Sequence, residues 1–461
     1  MASNLTYISP IVEKELPLWR TIDDVSDGII GMLRNPQLYL IKEPNEEQKS
    51  YDSRLQKATW IDAFSDTIDG LNGLVFKKPI VYNEISSKLT PMIENADAQG
   101  NHFDILIQDF FDIALRKGLS FALVDMPKAD NVNSKADEIS QGIRPYITII
   151  QPENITSWKT KTVNGQLVLS QVKIREFVEV EVEGNDYATE TKEQYRILTI
   201  GAYEVLRVSD TKSEADIEVD SGVTNLNFIP LVCLNLAKEG FFAAKPPFYD
   251  LAKLNIGHYQ IFTDSRHSAH IASVPMLTFM GFSDEDIKEL VISANTAINH
   301  NDPEAKVAWL DYKGEGVAIN KILMDKLEQK MAEMGLAVVS GEKEVTATEA
   351  QIASDKGQSK LNGYVRALED AIELILQYSA AFFGESTGGT ATIEADILSK
   401  PLSAEEFTAL SNAKAQGNLT LKTMWAIIQS GRFQAPKDFN VNEEELDLKS
   451  VNLLSDNSGN N

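Results

Sequence analysis

A single cysteine, Cys233, in 461 residues leaves this chain no disulfide framework, so packing has to hold the fold. Cys233 lies in the apolar run Ile229-Pro-Leu-Val-Cys-Leu, where a buried small hydrophobe is expected, and a reducing cytoplasm fits. Long apolar runs are also missing. The longest, residues 228–237 and 271–282, fall short of the roughly 18–20 residues that cross a bilayer, so no membrane partner is expected. Met1-Ala-Ser-Asn-Leu-Thr offers no basic stretch followed by an apolar one, and no secretory signal is expected. Basic clusters are scarce too: 43 Lys and Arg stand against 68 Asp and Glu, a net charge of −25. A protein that grips DNA normally presents a basic face, because neutralising phosphates supplies most of the affinity. This chain either holds nucleic acid at arm's length or is acidic for solubility alone.

What is present is ordinary globular material, 43% hydrophobic and 24% charged, and too long for one simple core. Residues 1–58 are polar with scattered helical signals, such as 22–34. Trp60, Phe64, Ile68, Leu71 and Val75 recur at helical spacing, predicting a helix over 59–77. A second helix is predicted over 103–117, with Ile105, Phe110 or Phe111, and Leu115 on one side and Gly118 as its stop, followed by a strand over 119–125. Residues 128–142 read as an exposed loop. From 144 to 236 the pattern is β-rich, with strands at 146–150, 166–174, 177–182, 195–200 and 203–208, and Val163-Asn-Gly as a hairpin turn. The N-terminal half is therefore expected to be α+β.

The most telling stretch is 246–384. It reads as a helix over 248–272, a small module with strands at 275–280 and 306–312 around a helix at 284–299, a returning helix over 321–336, and a charged loop at 340–345. Thr346 and Glu349 then form a capping box that opens a long helix to about residue 383, ended by Gly384. A helical hairpin carrying a module at its tip suits a subunit packed against copies of itself. A strand is expected at 391–398, helices at 404–416 and 419–431, and an acidic, Ser/Asn/Gly-rich disordered end over 443–461.

Catalytic signals are weak. No Gly-x-x-x-x-Gly-Lys-Ser/Thr phosphate loop is present, and Gly314-Glu-Gly316, placed in a strand-connecting turn, lacks a third glycine. His258, His267 and His270 share one predicted helix, and His267 with His270 could ligate a metal. With no cysteine near and Asp264 the only adjacent carboxylate, hydrogen-bonded histidines on a helix surface fit better. Asp284-Glu285-Asp286-Ile-Lys288 has the composition of a metal-dependent nuclease site, but Asp286 and Lys288 diverge on a helix. No cofactor is expected, nor enzymatic activity.

Over residues 59–431 the chain resembles the portal proteins of tailed bacteriophages, in a sub-group catalogued as a domain of unknown function. The residues that carry this are Ala122-Leu-Val-Asp-Met-Pro, Arg144-Pro-Tyr, Glu153-Asn-Ile-Thr-Ser-Trp158, Pro246-Pro-Phe-Tyr-Asp-Leu-Ala-Lys-Leu-Asn-Ile-Gly-His-Tyr and Thr346-Ala-Thr-Glu. The resemblance implies a portal fold: an α+β wing with the N-terminal region (1–245), a helical stem hairpin (246–273 and 319–338), a small α/β clip (274–318), a tunnel loop (339–346), a long wing and crown helix (347–386) and a helical crown with an acidic tail (387–461).

It further implies a dodecameric homo-oligomer at the unique capsid vertex of the virion, assembled in the host cytoplasm. The genome would be packaged and ejected through its channel as double-stranded DNA read without sequence specificity. The terminase large subunit, head–tail adaptors, and the major capsid and scaffolding proteins are its implied partners. Ser340, Gly341, Glu342, Lys343 and Glu344 would face DNA in the tunnel loop, Lys321, Lys326 and Lys330 would line the stem, and Asp284, Glu285, Asp286 and Lys288 would lie on the clip's docking surface. A dodecamer would carry about −300 in charge, which would let DNA slide without sticking. The alternatives are a metal-dependent nuclease and another ring-forming virion adaptor.

Overall fold

The computed structural model describes residues 5–128, 142–182, 184–185, 187–208, 217–273, 276–283, 302–310, 315–335, 347–394 and 404–416. The fold is α+β. Helices α1 (Pro10–Ser26), α2 (Gly28–Arg34), α3 (Pro36–Tyr39), α4 (Gln48–Gln56) and α5 (Ala63–Val75) lead to strand β1 (Val81–Asn83), α6 (Thr90–Glu94) and α7 (Phe103–Lys117). Strands β2 (Leu119–Asp125), β3 (Tyr146–Ile150), β4 (Ile155–Val163), β5 (Gln166–Glu181), β6 (Thr189–Thr199), β7 (Ala202–Arg207), β8 (Ile217–Val223), β9 (Leu231–Asn235), β10 (Lys238–Gly240) and β11 (Ala243–Ala244) follow. The C-terminal half holds α8 (Tyr249–Ser273), β12 (Met276–Met280), β13 (Lys306–Leu310), α9 (Glu315–Gly335), α10 (Ala347–Ala381), β14 (Thr390–Thr392) and α11 (Ala404–Ala415).

The main core forms where α5, α7, α8 and α10 close on a three-stranded antiparallel sheet of order β3-β2-β9. Strand β2 is buried on nearly every residue, as a central strand covered on both faces must be. Helix α7 contributes Phe103, Leu106, Ile107, Phe110, Phe111, Ala114 and Leu115 to this core. Ile105, expected among them, is instead half exposed, because the buried stripe runs through the residues next to it. Gly118 ends α7 with φ 89°, and a Cβ there would stand 2.7 Å from the Lys245 carbonyl oxygen, so conformation and space both require glycine.

A second core lies between α1 and the five-stranded meander β4-β5-β6-β7-β8, and joins Val12 and Trp19 to Val172, Ile174 and Leu198. The Val163-Asn164-Gly165 turn is present, with φ 50° and 80° at Asn164 and Gly165, the left-handed pair that suits a twisted two-residue hairpin. The strands expected at 166–174 and 177–182 are one continuous strand, β5. Strands β1, β4, β8 and β9 are not among the strands expected from the sequence. Cys233, on β9, is half-buried against the second core, and burial pushes its thiol up.

Residues 5–58 form more regular structure than their polar composition suggests. Pro17 interrupts the apolar spacing of α1, yet Val12, Trp19, Ile22 and Val25 are all buried. Trp19 donates its indole N–H to the Lys117 carbonyl at 3.1 Å, and buried Lys117 reaches Asp23 and Glu153, each at 2.8 Å. Lys173, buried on β5 and without a carboxylate partner among the described residues, donates to the Leu5 and Tyr7 carbonyls at 2.5 and 2.6 Å. Desolvation lowers its ammonium below the ordinary lysine range.

The helix expected over 59–77 starts at Ala63, where Asp62 caps it by accepting from the Ser65 N–H at 3.2 Å. Gly316, expected in a turn, is inside α9. The long helix α10 runs 35 residues, roughly 52 Å, and Leu361 to Ala380 supply its buried face. Thr346, the helix expected at 284–299, most of the 128–142 loop, the helix at 419–431 and the tail over 443–461 lie outside the described residues.

Burial pushes the phenols of Tyr146, Tyr259 and Tyr364 up to about 12, and raises those of Tyr39, Tyr82 and Tyr195 as well. The unfolded chain ionises its tyrosines near pH 10, so above that pH it releases protons that the folded chain keeps, and stability falls as pH rises toward 12. Lys173 acts in the opposite sense but is a single group. Tyr259→Phe also removes a buried hydroxyl that has no hydrogen-bond partner among the described residues. Urea denaturation of this variant should show no loss at pH 7 and a shallower decline between pH 10 and 12 than the parent chain; an equally steep decline contradicts the assignment.

Candidate assembly surface on the two-helix arm

Helices α8 and α9 pack along each other as an antiparallel arm, with the β12–β13 ribbon between them in sequence. The arm is rooted in the protein through the first half of α8, whose Leu251, Ala252, Ile256 and Tyr259 belong to the main core. One polar side chain on this buried stretch has specific partners at both ends of its amide. Asn255 is fully buried; its side-chain oxygen accepts from the Phe64 N–H at 3.0 Å and its amide donates to the Ile61 carbonyl at 2.8 Å. It therefore fixes the start of α5 against α8. Trp60 packs on Tyr259 with ring centroids 5.8 Å apart.

Farther along α8 the N-terminal region holds on by its own polar groups. Gln260 donates to the Tyr39 carbonyl at 2.7 Å, and Arg266 bonds the Thr59 hydroxyl. Arg54, nearly buried on α4, binds both oxygens of Glu46 at 3.1 and 2.7 Å, the Ile41 carbonyl at 2.9 Å and Asp264 of α8 at 2.9 Å. The bond to Arg54 lowers the Glu46 carboxyl below the usual glutamate range.

Helix α9 differs in character. Met331 is the one buried hydrophobic described on it, while Ile319 and Ile322 are 59% and 56% exposed and Leu323 and Met334 are exposed as well. Between the two helices His258, 1% exposed, shares a 3.0 Å hydrogen bond with Glu328 and stacks on Phe262. His258 is thus an interhelical tie and not the surface residue expected. His267 has a buried Nδ1 without a partner among the described residues. No group of three His, Cys, Asp or Glu among the described residues is placed to hold a metal.

Lys321, Lys326 and Lys330 are all exposed on α9. Lys326 and Lys330, four residues apart, share a face with Ile319, Ile322 and Leu323, whereas Lys321 sits about 140° round the helix from Lys326. The ribbon beyond the arm is exposed too, with Met280 at 56% and Trp309 at 60%. Ser340, Gly341, Glu342, Lys343 and Glu344, and also Asp284, Glu285, Asp286 and Lys288, lie outside the described residues.

Elsewhere, a cleft of about 410 Å³ opens where β2 meets the meander, lined by Asp125, Lys128, Tyr203, Leu226 and Phe382. Its charges are already committed. Asp125 accepts from Tyr146 and Arg196, each at 3.2 Å, Arg196 also donates to Glu176 at 2.6 Å, and Lys128 pairs with Asp220. Sequence reasoning missed Asn255, Arg54 and the His258–Glu328 tie. The signal for Asn255 and His258 was available, since both polar residues fall on the apolar side of a helix otherwise made for a core.

Residues 247–383, 137 of the 461, match a family described as a domain of unknown function (DUF4055). No curated protein matches the sequence. Among solved structures the chain is similar to one from the neck of an empty gene transfer agent particle computed with sixfold symmetry. There the TM-score is 0.44 at 9% identity, covering 83% of this chain and 93% of that one. It is similar also to chains in the virion of a native gene transfer agent particle (TM-score 0.41, 9% identity, 89% and 97% covered) and in the neck of a native particle computed with twelvefold symmetry (TM-score 0.44, 8% identity, 84% and 95% covered).

Asn255→Ala would leave a buried N–H and a buried carbonyl unpaired, and should lower stability by about 2 to 4 kcal/mol in chemical denaturation. Arg54→Ala would strand the poorly exposed Glu46 and should cost about 3 kcal/mol. The depressed Glu46 carboxyl stabilises the parent above the ordinary glutamate value and loses that contribution as pH falls below about 4. This acid-side decline should be weaker in Arg54→Ala.

Proposed function

We propose that this chain is the portal protein of a tailed phage or phage-like particle. Copies of it form a ring at one capsid vertex, and double-stranded DNA enters and leaves through the centre. The two-helix arm carries this proposal. Among the described residues helix α9 packs mainly on α8, with a smaller contact to α5, yet it presents isoleucine, leucine and methionine to solvent along its length. A helix of that kind in a monomer would be a liability, and identical neighbours on both sides remove it. The sequence resemblance quoted above supports the same assembly.

In this ring α8 and α9 form the stem wall, the β12–β13 ribbon belongs to the clip that meets the terminase large subunit and then the head–tail adaptors, and the N-terminal α+β part forms the wing beside capsid and scaffolding proteins. Lys326 and Lys330 share the face of the exposed apolar residues, so they sit at the subunit seam or the channel wall together, and Lys321 does not join them. The chain binds no cofactor and catalyses no reaction in this role; its charge, −25 per copy, keeps DNA from adhering to the wall.

Negative-stain imaging of the purified protein should show turbine-shaped particles with a central hole, and a compact monomer under all conditions would refute the proposal. Lys343→Glu and Lys343→Ala should leave rings intact while changing the amount of DNA packaged or retained. Unchanged packaging and retention in both would remove Lys343 from any role in the channel.

A further inference from the structure

The two edges of the five-stranded meander are unlike each other. Strand β4 opens one edge, and its Lys159 and Lys161 are exposed and form no ion pair among the described residues. Only its start is engaged, where the Ser9 N–H donates to the Thr156 carbonyl at 2.8 Å. Strand β8 closes the other edge with Ile217, Val219 and Val223 exposed, Val223 at 88%. Lysines on an edge strand discourage unwanted pairing, whereas a bare β-branched edge invites it. The β4 edge carries its own unpaired lysines, whereas β8 is met by a lysine only toward its end, where Lys128 donates to the Ser221 carbonyl at 3.0 Å, and its start at Ile217 and Val219 is left open.

The register adds a second observation. Ser157, Lys173, Ile197, Glu204 and Ser221 form one row across the sheet, and Arg175, Tyr195, Leu206 and Glu218 form the next row on the same face. Alternation along β4 puts Lys159 and Lys161 on that face as well. That face, whose middle is covered at Lys173 and Tyr195, therefore carries two lysines at one edge and two glutamates, Glu204 and Glu218, at or beside the other. All four are exposed and unpaired among the described residues. Asp220, on the opposite face, is occupied by Lys128 and Tyr203. Within one copy the edges lie four strand spacings apart, about 19 Å, so these charges cannot meet.

We infer that neighbouring copies join these sheets edge to edge, β8 of one against β4 of the next, with Glu204 and Glu218 facing Lys159 and Lys161. This rests on the ring proposed above. The contact is head to tail, so it can continue from copy to copy. Both strands run the same way in the meander, and adjacent copies of a many-membered ring differ by a small rotation, so the new pair is parallel. The occupant of the open edge is a second copy of this chain because that copy offers the complementary charge on the matching face.

A double variant, Lys161→Cys with Val219→Cys, treated with a short bismaleimide, tests this in the full-length chain, with each single variant, which retains Cys233, as control. The expected result is a ladder of covalent dimers, trimers and larger species from the double variant alone. Particles that are ring-shaped in images but give no ladder overturn the edge contact and leave the ring standing; a chain that stays monomeric overturns both. Products that stop at dimers, or equal products from a single variant, overturn the head-to-tail arrangement. Independently, Lys159→Glu/Lys161→Glu should reduce the ring fraction about fivefold at low salt, and adding Glu204→Lys/Glu218→Lys should restore it. An unchanged ring fraction after reversing the lysines overturns the charge pairing.

Discussion

The side chain of Asn255 stands within the buried first half of α8, and both ends of its amide are used by the backbone entering α5. That one pairing reconciles two demands on α8. Its first half must be apolar enough to share a core with Phe64 and Ile68, and its second half must run outward as half of an arm. A buried polar group is tolerated only when its hydrogen bonds are made, so the asparagine also fixes the register between α5 and α8. The exposed arm inherits its direction from this contact, and Arg54 and Gln260 brace it farther out.

The same principle organises the N-terminal half. Cations sit at the seams between elements. Lys117 joins the end of α7 to α1 and to the turn before β4, Arg196 links the meander to β2, and Lys173 secures the segment ahead of α1. In a chain so rich in carboxylates, those cations act as fasteners between elements. Pieces with little individual hydrophobic pattern, α1 above all, become ordered because a distant cation holds them.

Much of this was legible in the sequence, and what was missed has physical causes. Helices α7, α8 and α10 announce themselves by apolar spacing and by stops at Gly118 and Gly384. The Asn164-Gly165 turn needs left-handed backbone that few other pairs supply. By contrast α1 hides behind Pro17, and β9 lacks alternation because it is a buried run of apolar residues. Ile105 shows that periodicity finds a stripe without saying which neighbour completes it. At the candidate surface, spacing placed Lys321, Lys326 and Lys330 on one helix, but only the helix geometry separates the first from the other two. The partners of Asn255 and His258, and the Asp264 partner of Arg54, come from 70 to 210 positions away, and no local pattern encodes them.

Strand β1 pairs with β14, so that Tyr82 lies opposite Ala391. A ribosome makes the first of these long before the second. Until the late strand emerges, β1 has no strand to pair with, and a contact so remote in sequence is slow to form. The order of synthesis therefore leaves this two-stranded ribbon open until most of the chain has been made.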